Sequence, residues 1–113
     1  MHSIVYITTS DMKEARKIAR FLVEKRLAAC VNMFPITSVY RWGGKMCEDK
    51  EVALSVKTTA KRVKEVIKEV RRMHSYETPC IISYEISGGD RDYLDWVSAE
   101  TAGNRRAGTK KHL

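Results

Sequence analysis

Apolar residues recur along this 113-residue chain in two rhythms, and the alternation between them divides it into short elements. Ile4, Tyr6 and Thr8 alternate with Val5 and Ile7, which predicts a first strand with side chains on both faces. Ser10 or Asp11 then caps a helix, with Glu14 three residues after Asp11 as in a capping box. Ala15, Ile18, Ala19, Leu22 and Val23 recur at helical spacing, while Lys13, Arg16, Lys17, Arg20 and Glu24 fill the opposite side, so the helix runs to near Arg26. Ala28 to Phe34 reads as a second strand, and Pro35 restricts that point to a sheet edge or a bulge.

The segment from Ile36 to Lys57 has the signature of a β-hairpin: a β-branched and aromatic arm, Gly43-Gly44, then renewed alternation from Glu51. If pairing runs back through Cys30 and forward to Lys57, each arm exceeds ten residues, and at ~3.3 Å per residue the longer spans roughly 40 Å. A compact chain of this size has a diameter near ~35 Å. The tip, with Tyr40, Trp42 and Met46, should therefore project beyond its own domain and be sheltered by another copy of the chain.

Thr58 or Thr59 can cap a second helix, whose Val63, Val66, Ile67 and Val70 mark one apolar stripe and which should finish near Met73. Cys80 to Ile86 is a fourth strand. Asp90 caps a last helix that carries Tyr93, Leu94, Trp96 and Val97 and stops before Gly103-Asn104. The order is strand, helix, strand, strand, helix, strand, helix. Two strand-helix-strand units joined by a hairpin make an α+β, ferredoxin-like split βαβ fold: an antiparallel sheet with both long helices on one face. The other face needs a cover larger than one helix, which self-association would supply. Residues 1–103 form this domain, and residues 104–113 read as a loose basic tail.

Composition refines the picture in three ways. The net charge of +7 invites an anionic partner, but Arg105, Arg106, Lys110 and Lys111 lie in the tail and leave only +3 for the rest, which argues against nucleic acid. No run is apolar and long enough to span a bilayer, and the N-terminus lacks the pattern of a secretory signal, so a cytoplasmic location away from membranes is expected. Cys30, Cys47 and Cys80 are odd in number and widely spaced, with neither a disulfide framework nor a zinc pattern. Cys30 and Cys80 read as inert strand thiols, and Cys47 as the one nearest the exposed tip.

Most functions of this fold fail on residues. RNA recognition needs aromatics on central strands, and Cys47 to Lys57 has none. A phosphate cradle after the first strand would want Gly and Arg, where Thr8-Thr9-Ser10-Asp11 stands. With only His2, His74 and His112, no nucleophilic triad can be proposed, and the chain is not expected to be an enzyme. The loop His74-Ser75-Tyr76-Glu77-Thr78-Pro79 is the most concentrated polar segment. Its side chains either converge on a ligand or metal, or hydrogen-bond across a subunit contact.

The runs Glu24 to Asn32, Tyr40-Arg41-Trp42-Gly43-Gly44-Lys45, Glu51 with Lys57-Thr58, His74 to Pro79 and Asp92-Tyr93-Leu94-Asp95-Trp96, in that order, resemble the CutA divalent-cation tolerance family over residues 3 to 100. The resemblance implies a homotrimer held by hairpin and C-terminal helix, similar in architecture to PII signalling trimers, and tied to tolerance of copper and other divalent ions. It implies an intersubunit cleft lined by Tyr40, Trp42, Lys57, His74, Tyr76 and Glu77, with His74 as metal ligand. Two positions depart from the pattern: Thr8 stands where some members place a Cys, and Met73-His74-Ser75 replaces a pair of His. The alternative is a PII-like signalling trimer that takes a small anionic ligand near Lys57.

Overall fold

A computed structural model describes residues 1–103. The elements are β1 (His2–Thr9), α1 (Met12–Glu24), β2 (Cys30–Trp42), β3 (Lys45–Thr59), a 3₁₀ turn (Ala60–Arg62), α2 (Val63–Met73), β4 (Ile81–Glu85) and α3 (Arg91–Thr101). All pairings are antiparallel in the order β2-β3-β1-β4, so the ferredoxin-like expectation holds. The tail expected at 104–113 lies outside the described residues.

Strand alternation sorts the sheet into two faces. Val5 and Ile7 pair with Val56 and Leu54, and all four are wholly buried beneath Ala15, Ile18 and Leu22 of α1 and Val66 and Val70 of α2. Residues one step out of phase, among them Ile4, Tyr6, Phe34, Ile82 and Tyr84, point the other way. There α3 covers only the root of the strands: His2 Nε2 meets Ser98 Oγ at 2.8 Å, and the Tyr93 phenol contacts the Cys30 thiol. Phe34, Ile82 and Tyr84 stay exposed, which leaves this second face only partly covered within one chain.

The two arms of the ribbon pair continuously from Cys30 and Lys57 to Trp42 and Lys45. Gly43 (φ +58°) and Gly44 (φ +78°) close it with the positive φ angles that a tight hairpin turn requires. The molecule measures 50 × 27 × 24 Å, so the tip does overhang its own domain. Pro35 does not interrupt β2: the strand lies at the sheet edge, where a missing N–H breaks no ladder on the open side.

Helix ends divide the expectations. Asp11 caps α1 by accepting the Glu14 N–H at 2.8 Å, while Glu14 Oε1 accepts from Ser10 N–H at 3.0 Å. Asp90 Oδ2 likewise accepts the Tyr93 N–H at 3.0 Å and caps α3. Neither Thr58 nor Thr59 caps α2, because both still belong to β3, where they pair with Ser3 and His2, and a 3₁₀ turn intervenes. Val23, counted among the buried stripe, is 44% exposed at the edge of α1.

Charge is divided as the layers are. Residues 12–26 and 60–73, the helical layer, contain twelve Lys and Arg against four Glu. The rest of residues 1–103 contains five Lys and Arg against ten Asp and Glu. A basic layer of α1 and α2 thus backs a sheet whose strands balance four Lys and Arg against four Asp and Glu, and the acidic excess lies in α3 and the loops.

Candidate functional site

The loop after α2 carries the most constrained histidine. His74 is fully enclosed, and its Nε2 lies 2.7 Å from the Thr8 carbonyl, which can only accept. Its Nδ1 accepts the Tyr76 N–H at 3.0 Å. Both ring nitrogens are therefore engaged, in the neutral tautomer with the proton on Nε2. Its ring also packs against Tyr76, with centroids 4.8 Å apart.

Glu14 ties this loop to the start of α1. Its Oε2 accepts the Ser75 N–H at 2.8 Å and stands 3.7 Å from His74 Nδ1. Burial alone would raise its carboxyl, but hydrogen bonds from Ser10 and Ser75 overcome that and hold it at about 2, below the ordinary 4.5. The polar loop is therefore largely satisfied internally, and its geometry is fixed before any ligand arrives.

That fixed loop borders a cavity of about 630 Å³ on the helix-poor face. Its floor is Tyr6 and Thr8 of β1, and one wall is Ile36, Ser38, Tyr40 and Trp42 of β2, which are spaced two apart along one face. The other wall is the loop, with Tyr76, Glu77, Thr78 and Cys80. Between them stands Glu51 of β3, 9% exposed, whose Oε2 accepts the Tyr76 hydroxyl at 2.5 Å. The Tyr40 hydroxyl donates to Asp49. Tyr76 is raised above the usual phenol range by burial and then by Glu51, and Tyr40 is raised to about 12 mainly by its bond to Asp49. Burial, with smaller contributions from Cys80 and Glu51, also raises Tyr6.

Four of the six residues expected to line a cleft come together here: Tyr40, Trp42, Tyr76 and Glu77. His74 stands behind Tyr76 rather than in the cavity. Lys57 is elsewhere, at the root of the ribbon, where it donates to Asn32 and where burial lowers its ammonium. Cys30, Cys47 and Cys80 are all free thiols of intermediate exposure, and Cys80 borders the cavity rather than lying inert in a strand. Sequence reasoning missed the role of Glu51. Its signal was register: in the ribbon it pairs with Ile36, on the same face as Tyr40.

The fold has close counterparts. The family described as CutA1 divalent ion tolerance protein matches residues 3–100. A divalent-cation tolerance protein CutA from Archaeoglobus fulgidus is 48% identical over 97 residues, which are 86% of this chain and 95% of that protein. The solved structure of the Thermus thermophilus divalent cation tolerance protein superposes with a TM-score of 0.86 at 45% identity, covering 89% of this chain and 99% of that one. A PII-like protein CutA from Nostoc, in apo form, gives 0.82 at 32% identity, covering 88% of this chain and 96% of its own.

Proposed function

The chain belongs to the CutA1 divalent ion tolerance protein family, and from that membership we propose that it serves divalent-cation tolerance as a non-catalytic, cytoplasmic homotrimer. The observation that carries the assembly is the overhanging ribbon. Val39, Tyr40, Trp42 and Met46 are 63%, 41%, 54% and 77% exposed on a two-stranded segment with both edges free, a surface that a solitary subunit leaves open to aggregation. Neighbouring copies cover it in this reading, together with the uncovered sheet face, and turn the cavity into a cleft between subunits. Light scattering on the eluting protein tests this: the expected mass is three times the 13.0 kDa chain, and a stable single chain overturns it.

The metal side of the role follows from which donors are free. Among the described residues no group of three His, Cys, Asp or Glu side chains is placed to hold an ion, and His74 has no nitrogen left to offer. The described residues of one chain therefore do not fit a copper site, and binding of copper or another divalent ion at them would need donors from more than one subunit. Copper titration of the wild-type trimer and of His74→Ala separates these possibilities. Equal affinities are expected, and a loss on substitution would restore His74 as a ligand.

A PII-like signalling role is the second reading, favoured by the preformed cavity beside the loop and by the likeness to the Nostoc protein. Its ligand would occupy the cavity and not the surroundings of Lys57. A metabolite screen by thermal shift tests it, since a ligand bound to the native state raises the unfolding midpoint.

A further inference from the structure

Resting on the cleft reading above and deepening it, we infer that the cavity recognises an organic ammonium cation, a quaternary or protonated alkyl amine, between its tyrosine and tryptophan rings and Glu51. The first support is charge. Among the described residues none that lines the cavity is basic, while Glu51 and Glu77 are both acidic. Of the two lysines of β3 on the cavity's face, each six residues or ~20 Å along the strand from Glu51, Lys57 stands at the root, and Lys45 stands across from Trp42 at the outer end, away from the carboxylate. Glu51 is 9% exposed, and its one described hydrogen bond comes from a neutral phenol. A carboxylate so enclosed and without an ion pair among the described residues gains most from a cation, either a quaternary one that is weakly hydrated or an alkyl amine whose N–H groups exchange water for the carboxylate itself.

The second support is the direction of the hydroxyl protons. Tyr76 gives its proton to Glu51, and Tyr40 gives its proton to Asp49. What these phenols still offer is lone pairs and ring faces, both electron-rich. Trp42 and Tyr6 add two more rings. Ring faces beside a carboxylate attract alkylated ammonium, whose methyl or methylene groups pack where a hydrated metal ion would lose its water shell without replacement. A volume of about 630 Å³ holds either a compact quaternary ion or an extended amine. An anion finds only neutral donors there: the hydroxyls of Thr8, Ser38, Thr78 and Tyr6, the Trp42 indole N–H, the Cys80 thiol and backbone.

The test is a titration of the purified protein, followed by calorimetry and by saturation-transfer NMR, with tetramethylammonium and spermidine as separate arms and with glutarate and magnesium as controls. Saturable binding of at least one ammonium probe is expected, weakened tenfold or more in Glu51→Gln and several-fold in Tyr40→Leu, a change at the exposed ribbon that spares the core. Tetramethylammonium alone would define a quaternary-ammonium site, and spermidine alone an extended-amine site. The inference is overturned if neither binds, if Glu51→Gln binds equally well, if glutarate binds in their place, or if a neighbour's side chain fills the cavity in the assembled protein. All the lining residues belong to one chain, so the titration retains its meaning if light scattering finds a monomer. A failed trimer and a failed site are then separate results.

Discussion

The ribbon of β2 and β3 is one continuous ladder with two unlike halves. From Val52 to Val56 the side chains of β3 alternate between a wholly buried core face and a face shared with Tyr6, because β1 lies alongside and the helices lie above. From Lys45 to Lys50 the same strand keeps its pairing with β2 but has no third strand and no helix, and its side chains face solvent. Backbone pairing sets the shape of both halves, whereas apolar burial is concentrated in one. The root is where the chain stabilises itself, and the tip is where large side chains are left for something else.

The sharpest way to break this contrast is Leu54→Ala, which should lower the unfolding free energy by about 3 kcal/mol, because a wholly buried side chain leaves a cavity between β1 and α1. Urea unfolding measures it, and a loss under about 1 kcal/mol would mean that the root is not the source of stability. Gly44→Ala, at φ +78°, should cost about 1 kcal/mol through left-handed strain with no change in packing, since nothing lies within 4 Å. Asp11→Ala removes the cap of the helix that roofs the root and should cost about 1 kcal/mol, read as a lower thermal midpoint. Trp42→Ala should change the stability of the single chain by no more than about 0.5 kcal/mol while weakening association, which separates the two halves by experiment.

Acid provides a further handle on the loop beside the root. The Glu14 carboxyl is held low in the folded chain, so the stability it lends is present above about pH 4.5 and is lost as pH falls towards 2. Glu14→Gln should flatten that part of the acid-unfolding curve. An unchanged curve would show that the Ser10 and Ser75 hydrogen bonds do not favour the charged form.

Much of this was legible before any coordinates. The helical stripe of α1, the Asp11 and Asp90 caps, the Gly-Gly turn and the overhang all follow from local pattern and length, and local rules hold where neighbours do not override them. What escaped was set by pairing across the chain. Thr59 looked like a cap until it proved to pair with His2, whereas Pro35, read as marking an edge or a bulge, does lie on the edge strand β2. The family resemblance implied His74 as a ligand, but which of its nitrogens remain free depends on the Thr8 carbonyl, 66 residues away, and on the Tyr76 N–H. Glu51 entered the sequence reading only within a strand pattern and a family run, with no role attached, and its importance comes from standing opposite Ile36 and within reach of Tyr76.

The division of charge between the basic layer of α1 and α2 and the acidic α3 and loops gives the chain a permanent dipole moment. An ion approaching in dilute buffer is turned before it touches: anions drift to α1 and α2, and cations to the α3 side. The reach of that field is about 10 Å at 0.1 M salt and about 30 Å at 0.01 M, so arrival rates at the two sides should diverge as salt is withdrawn.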